Sequence, residues 1–579
     1  MGDSTNANNS GNVIGHECKF VFHVPKIEED KDRRISGRPD IHVIKEIIHY
    51  EDGKREKKLR IVENFQRPFW ITKPHYQNHK DKKECELIDR TNVFYSSQSD
   101  LGKNVAIRLG SKYIGRKHLR DVIDSPYVYG LDINAKTMIK QGYMDKWPGL
   151  TSAYEVATLD IEAGVNTGKI TIITVAMADK IFTVMTEEYL KDVSKTNLIP
   201  NLTHLFKKHI PPTELFKNID VEYLVVKDEV ELITKAIAKL HKWQPDMVAI
   251  WNIDYDLPKM IEVLEDNGVR PEDVFCDPRI PYQYRYFKYV EGQKVKKTAS
   301  GKHTPRSPED QWHWVDCPAS FWWIDAMSGY RYVRVGGKTV PGGFKLSNIL
   351  NLELEAAYDK LKFKHITESL TLDSTGWHIY MSAHHPLEYI IYNQWDTLSM
   401  LLLDDKTKDL AYNVGILSKN AAFDIFNSGP KKILASLHYE YLKFGKVIGT
   451  KPKSYDDLPN LGLDEWIAML ASYRINELYG LRLIKGAPLK HTNVRAHTGD
   501  VDQTSGYPSN GQAGNVSKET TVCEVISIDD IPKEQFKLSN LNTMFGSVNT
   551  VRYATDMFNA PTLREIKARY ELKKMRMRI

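Results

Sequence analysis

Three short segments carry acidic residues at spacings from which their carboxylates could act together. Asp160 and Glu162 lie two residues apart in YEVATLDIEAG (154–164), whose apolar residues predict a buried strand. Alternate side chains of a strand point to the same face, so both carboxylates should project together. Like charges this close repel unless a cation lies between them, and oxygen ligands suit Mg²⁺ or Mn²⁺. An edge strand with its polar face in water would also explain this pair.

The other two segments place acids at a predicted strand-to-helix turn and on a predicted helix. Asp256 follows the apolar strand 246–251 and precedes Pro258, the predicted start of a helix over 258–268. An acid there also serves as an ordinary helix cap, and Asp254 is a nearby competitor. On the predicted helix 386–404, Tyr392 and Asp396 are four residues apart and share one face. An ordinary tyrosine and a solvated acid are the alternative there.

The elements that would position these residues alternate along the chain. Further strands are predicted at 169–178, 180–185 and 221–226. A helix is predicted over 228–243, because apolar residues recur on one face at Val230, Ile233, Ile237 and Leu240. This succession predicts a mixed sheet flanked by helices.

Composition narrows the class of protein. The 579 residues include 41% hydrophobic residues and carry a formal charge of +5, which excludes a disordered or fibrous chain. At roughly 100–200 residues per domain, roughly three to five domains are expected. No apolar run approaches the roughly 20 residues that cross a bilayer, and because the N-terminus is polar, no signal peptide is expected. The five cysteines are far apart, so neither a disulfide framework nor a zinc site is expected.

In their order and contexts, the three acidic segments resemble motifs of the proofreading 3′–5′ exonuclease superfamily. These motifs are D-I-E, N-x-x-x-(F/Y)-D and Y-x-x-x-D, and this sequence has one residue fewer between Asn252 and Asp256. The resemblance implies a ribonuclease H-like domain with two Mg²⁺ (or Mn²⁺) ions. Asp160, Glu162 and Asp396 would hold one ion, and Asp160 would bridge to the second. Asp256 would act largely through metal-bound water, and Tyr392 would orient the attacking water.

A later segment resembles motif A of family B DNA polymerases. Residues 502–509 read DQTSGYPS, against D-x-x-S-L-Y-P-S, with Gly506 in place of the usual Leu. The best overall match, over about 100 to 525, is the T-even bacteriophage replicative type. The resemblance implies that Asp502 is one of two palm carboxylates that hold catalytic metals. It also implies nucleotide binding by Ser505 and Tyr507, with Tyr507 under the incoming sugar.

Two other polymerase motifs, the fingers K-x-x-x-N-S-x-Y-G and the palm D-T-D, do not follow convincingly in this sequence. We therefore expect the N-terminal portion of a replicative family B polymerase, with a proofreading exonuclease and half of a palm site. A second chain would bring fingers, the remaining palm and thumb, and through it a sliding clamp and replisome proteins. The rival interpretations are a free-standing 3′–5′ exonuclease with a vestigial motif A, and a non-catalytic nucleic-acid-binding subunit.

The expected partner is DNA, as a single-stranded 3′ end or a primer–template. The protein is expected to act in the cytoplasm of an infected host cell, without membrane attachment. The segment 281–316 predicts a long hairpin in which aromatic and basic residues alternate. Such interleaving suits stacking on single-stranded bases and contacts with phosphates, and an exposed amphipathic ribbon is the alternative. The candidate DNA-binding residues are Asn252, Tyr284, Tyr286, Lys288, Lys296 and Lys297.

We predict an α/β and α+β multidomain protein. Its expected parts are a disordered tail (1–17), an N-terminal α+β domain (18–152), a ribonuclease H-like exonuclease domain (153–405), a helical segment that returns to the N-terminal domain (406–490), and a partial palm with motif A and the start of the fingers (491–579). The last 18 residues are predicted to form a basic helix.

Overall fold

A computed structural model describes residues 12–29, 36–79, 82–110, 122–123, 125–194, 196–297, 303–335, 340–354, 358, 360–367, 370 and 372–450, with three short strands between 467 and 578. The chain divides into two compact units, Met1–Lys453 and Ser454–Ile579. Within the described residues, no helix combines the length and apolar character needed to span a membrane.

The first unit combines strands and helices. Its strands are β1 (Val13–Val24), β2 (Ile41–Tyr50), β3 (Arg55–Glu63), β4 (Arg67–Thr72), β5 (Cys85–Leu87), β6 (Thr91–Ser96), β7 (Val128–Tyr129), β8 (Val156–Ala163), β9 (Ile170–Met177), β10 (Lys180–Thr186), β11 (Asp220–Val226), β12 (Met247–Ile250), β13 (Lys288–Val290), β14 (Val295–Lys297), β15 (His303–Pro305), β16 (Trp314–Asp316), β17 (Trp322–Asp325) and β18 (Lys446–Ile448). Its helices are α1 (Leu101–Arg108), α2 (Ala135–Lys146), α3 (Leu198–His209), α4 (Glu229–Trp243), α5 (Ile253–Asp266), α6 (Pro271–Phe275), α7 (Ala326–Tyr330), α8 (Leu346–Glu353), α9 (Lys364–Thr367), α10 (Ser374–His384), α11 (Pro386–Thr407), α12 (Val414–Leu417) and α13 (Gly429–Lys443), with π-helical turns at Arg331–Val335 and Asp409–Asn413.

A mixed six-stranded sheet lies at the centre of this unit, in the order β11-β10-β9-β8-β12-β17. Strands β8, β9 and β10 are antiparallel neighbours, whereas β12 runs parallel to both β8 and β17. The run ITIITVAM of β9 is buried at seven of its eight positions. A near-continuous apolar run of this kind is expected when both faces of a sheet are covered. The predicted mixed α/β architecture is therefore confirmed.

Helix α11 packs on one face of this sheet. Its residues are buried on almost every side from Tyr389 to Leu401, and a helix of this kind belongs to a protein interior. Polar side chains join it to the strands: Thr158 Oγ1 donates to the Thr397 carbonyl at 2.9 Å, and Gln394 Nε2 donates to Thr183 Oγ1 at 2.9 Å. These bonds hold the helix in one register against β8 and β10.

The remaining strands form small sheets around this centre. Strands β1, β2 and β3 form an antiparallel sheet, and β4 pairs with β6 and β7. Strand β18 pairs with β5, so the chain returns after the helical region to the N-terminal part. The predicted boundary between 152 and 153 falls inside this single compact unit.

Three predicted element boundaries need correction. Strand β1 begins at Val13, so residues 13–17 belong to a sheet and not to a tail. Helix α5 begins at Ile253, five residues before Pro258, because Asn252 adopts a left-handed conformation that turns β12 directly into the helix. Met575–Arg578 form a strand, where a terminal helix was predicted.

The second unit is described only by three strand backbones. Met575–Arg578 lies between Ile467–Met469, to which it is parallel, and Glu524–Ser527, to which it is antiparallel. The predicted motif A residues Asp502, Ser505 and Tyr507 lie outside the described residues.

Candidate metal centre

Strand β8 and helix α11 bring together the acids that the sequence predicted. Asp160 and Glu162 lie in the C-terminal half of strand β8, and Asp396 lies on the face of α11 that covers this strand. One carboxylate oxygen of each lies within 4.8 Å of the others. Asp160 and Glu162 are partly exposed, whereas Asp396 is buried. The three residues therefore form one acid cluster at the edge of the interior.

Burial and mutual repulsion disfavour the ionised form of the carboxylates in this cluster. Burial and the neighbouring Asp256, Asp396 and Glu162 raise the pKa of Asp160 well above its usual value. Burial also raises the pKa of Glu162 to about 7, although a hydrogen bond from Tyr389 opposes the shift. A bound cation would reverse this cost because it favours the charged carboxylates.

The donor set fits a hard divalent ion. All three ligands are carboxylates, which suit Mg²⁺ or Mn²⁺. Asp396 Oδ1 is buried and has no hydrogen-bond partner among the described residues. Buried polar atoms are rarely left without a partner, so this oxygen is available to an ion. The structure identifies no particular metal.

The charge of Asp256 acts on the cluster, whereas Asp254 has other partners. Asp256 is buried in the first turn of α5, where burial and the charges of Glu162 and Asp325 raise its pKa well above the usual value. Asp254 instead accepts a hydrogen bond from the Tyr289 hydroxyl at 3.1 Å and lies 3.5 Å from His313. Asp256 is also not the helix cap, since Asn252 occupies that position.

Lys360 brings a positive charge that the sequence did not predict. Its ammonium lies 2.5 Å from Asp396 Oδ2 and donates to the Tyr392 hydroxyl at 3.0 Å. Burial alone would lower the pKa of Lys360, but the attraction of Asp396 and its neighbours raises it. Lys360 therefore stays charged and joins the predicted tyrosine to the acid cluster.

Two further residues of α11 hold the β8 carboxylates in place. Tyr389 donates its hydroxyl hydrogen to Glu162 Oε2 at 2.5 Å and lies 2.9 Å from His378 Nδ1. Asn393 Nδ2 donates to Asp160 Oδ2 at 2.7 Å. Helical spacing could have indicated both residues, because Tyr389 lies three positions before Tyr392 and Asn393 lies three positions before Asp396.

Asp325 is another buried acid that sequence reasoning missed. It ends β17, caps α7 through the Ser328 N–H at 2.9 Å, and accepts the Ile253 N–H at 3.2 Å. Burial raises its pKa to about 7, although those backbone hydrogen bonds oppose the shift. Asp325 thus fixes the start of α5, which carries Asp256.

The acid cluster opens into a cleft of about 840 Å³. Asp160, Asn252, Tyr392 and Asp396 line it, as do apolar and aromatic side chains that include Phe344 and Trp377. Of the predicted DNA-binding residues, only Asn252 lies in the lining of this cleft.

The predicted long hairpin is confirmed, because β13 pairs with β16 and β14 pairs with β15. Lys288 and Lys296 are exposed on it, and Lys297 lies in β14 opposite His303. Tyr284 and Tyr286 are engaged within the protein instead. The Tyr284 hydroxyl donates to Glu63, and the Tyr286 ring lies 5.4 Å from the Arg38 guanidinium.

No protein-family model matches the chain, and no curated protein matches it in sequence.

Proposed function

We propose that the first unit is a metal-dependent 3′–5′ exonuclease that removes nucleotides from single-stranded or mispaired DNA ends. The observation that carries this proposal is the convergence of Asp160, Glu162 and Asp396 within 4.8 Å. Asp256 and Tyr392 extend this group in the order that the resemblance to proofreading exonucleases implies. Four acids and a tyrosine from three separate segments would be an unusual coincidence on a purely structural surface.

The sheet order supports a ribonuclease H-like interpretation of this unit. Three antiparallel strands (β10-β9-β8) continue into two strands parallel to β8, and the acid pair lies on the central β8. This arrangement suits catalysis because a central strand is held on both sides and its side chains are fixed. Helix α11 then covers the strand and supplies the last acid.

The residues of the chain have separable roles in the proposed reaction. Two bound divalent ions would activate a water molecule and stabilise the leaving 3′ oxygen. Asp160, Glu162 and Asp396 would hold the metal, with Asp256 nearby. The Tyr392 hydroxyl would orient the attacking water. Lys360, which already contacts Tyr392 and Asp396, would place positive charge beside the scissile phosphate.

The cleft suits the end of an unpaired strand. Its aromatic and apolar side chains can stack on bases without selecting a sequence. A duplex would have to separate before its 3′ end could reach buried Asp396 and Tyr392. The exposed lysines of the long hairpin, Lys288 and Lys296, would add phosphate contacts.

The test is degradation of 5′-labelled single-stranded DNA with Mg²⁺ or Mn²⁺. Replacing Asp160→Ala with Glu162→Ala should lower the rate by several orders of magnitude, because the metal ligands of β8 are lost. Asp179→Ala with Glu188→Ala is the control, since it removes the same charge from exposed positions on the same sheet region. An undiminished rate in the Asp160/Glu162 variant would refute the proposal.

We propose a polymerase role only for a complex of this chain with a second one. The motif A resemblance at Asp502, Ser505 and Tyr507 supports it. The second chain would supply fingers, the rest of the palm and the thumb, and would connect the complex to a sliding clamp and other replication proteins. The same resemblance motivates the proposal that the protein is phage-encoded and acts in the cytoplasm of an infected cell.

A further inference from the structure

A second group of potential metal ligands lies in the N-terminal sheet. His23, Asp40 and His42 each place a ligand atom within 4.8 Å of the others. His23 belongs to β1, His42 belongs to β2, and Asp40 immediately precedes β2. None of the three belongs to the acid cluster proposed for the exonuclease.

Strand pairing explains why these residues meet. His23 and His42 are direct partners across the antiparallel β1–β2 ladder, so their side chains project from the same face. Asp40 is two residues before His42 in extended chain and points the same way. The two imidazole rings stack with their centroids 4.8 Å apart.

His42 is the observation that points to a ligand. The residue is 0% exposed, and neither of its ring nitrogens has a hydrogen-bond partner among the described residues. Buried polar atoms in folded proteins are almost always partnered. An imidazole nitrogen is a common metal ligand in proteins.

Asp40 is held as metal-binding carboxylates usually are. It accepts the Gln98 N–H at 2.9 Å and the Ser99 hydroxyl at 2.5 Å. The oxygen that accepts the Ser99 hydroxyl, Oδ1, also lies 2.7 Å from His23 Nε2, and Oδ2 accepts the Ser99 N–H at 3.4 Å. Outer hydrogen bonds of this kind orient the ligands of metal sites.

We propose that His23, Asp40 and His42 bind a zinc ion. Two imidazole nitrogens and one carboxylate oxygen are ligands that zinc takes, and water would fill the fourth tetrahedral position. In the zinc-bound form the His23 proton would lie on Nδ1, so that the Nε2 lone pair and Asp40 would both face the ion. The His23 side chain is 17% exposed, so water can reach this side.

A positive charge that acts on His42, that of Lys136, is compensated by acids. The Lys136 ammonium lies 3.0 Å from Asp424 and 3.3 Å from Asp316. The widely spaced cysteines predicted no zinc site, whereas the ligands proposed here are two histidines and an aspartate. A zinc ion here would tie β1 and β2 to the turn at 97–100 and thereby stabilise the N-terminal sheet.

The test measures zinc bound per chain after dialysis, in a full-length Asp160→Asn, Glu162→Gln background that weakens the acid cluster. We expect one equivalent of Zn²⁺, and visible absorption bands when Co²⁺ replaces it. His23→Gln should weaken binding by more than roughly 100-fold, since even loss of an outer partner costs about 10- to 100-fold. The Gln side chain still donates to Asp40, so this variant should fold even if His42→Ala does not.

His49→Gln is the matched control. His49 lies in the same strand β2 and is also buried, but its partner is Glu17 at 3.1 Å. This variant should bind zinc as the parent does, and zinc should raise its unfolding temperature. No stoichiometric zinc in the parent, or equal binding by His23→Gln, would overturn the proposal. Loss of both zinc and the zinc-dependent temperature shift in His23→Gln alone would support it.

Discussion

Tyr389 and Tyr392 lie on the same helix and differ in what their hydroxyls contact, so the two Tyr→Phe changes should have different kinetic effects. The Tyr389 hydroxyl donates to Glu162 Oε2 at 2.5 Å. The Tyr392 hydroxyl instead accepts from Lys360 at 3.0 Å and lies beside Asp396. Both changes remove one oxygen atom from a buried tyrosine, which makes each variant a control for the other.

The magnitude of the Tyr389→Phe effect follows from its contact with a charged acceptor. Hydrogen bonds to charged groups contribute about 1.5–3 kcal/mol, and about 1.4 kcal/mol corresponds to a factor of ten. The loss should therefore raise the Mg²⁺ concentration for half-maximal activity by roughly 10- to 100-fold. The maximal rate at saturating Mg²⁺ should fall much less, since Glu162 remains. Tyr392→Phe should lower the maximal rate and leave the Mg²⁺ requirement almost unchanged, because the lost hydroxyl would position the attacking water.

The assay is the initial rate of single-stranded DNA degradation across a Mg²⁺ titration, for the parent and both variants. Equal Mg²⁺ requirements in the parent and Tyr389→Phe would show that the Glu162 hydrogen bond does not prepare the metal site. A Tyr392→Phe variant as inactive as Asp396→Ala would show that Tyr392 has a structural or metal-binding role instead.

Three further predictions concern other contacts. Asp256→Asn should lower exonuclease activity by more than roughly 100-fold. Asp254 contacts Tyr289 and His313 instead, so the activity of Asp254→Asn should stay within a few-fold of the parent. The reverse order would mean that the catalytic role on α5 belongs to Asp254. Lys45→Met should lower the free energy of unfolding in urea by about 3–5 kcal/mol, because buried Asp246 loses the ammonium that lies 3.2 Å away. Lys57→Met removes the cation of the more exposed pair with Glu155 and should cost at most about 1 kcal/mol. Equal effects would contradict this reasoning. In an Asp160→Ala, Glu162→Ala background, this chain alone should not extend a primer. Extension that appears on adding a second chain should disappear with Asp502→Ala. Extension by the single chain would refute the half-palm interpretation.

The positions of the main elements and the central acids were predictable because they depend on local patterns. The apolar runs of β8, β9 and β10 and the spacing of α4 and α11 are encoded within a few neighbouring residues. The same periodicities put Asp160 with Glu162 and Tyr392 with Asp396 on common faces. The predicted start of α5 was wrong because Pro258 suggested the first helical turn. The helix begins earlier, directly after Asn252, whose backbone is left-handed.

Which helix and strand faces pack against each other was decided by the tertiary structure. Asp254 and Asp256 are both acids in the first turn of one helix, and only their tertiary contacts separate them. Asp254 contacts Tyr289 and His313, whereas Asp256 is buried near the charge of Glu162. The hydrogen bond between Tyr389 and Glu162 spans 227 residues, and Lys360 reaches Asp396 from a segment without a periodic pattern. Sequence periodicity specifies which side of an element is buried, but not which other element it meets. Long-range contacts depend on the free energy of the whole packed core, and so the partners of these carboxylates emerge only from the fold.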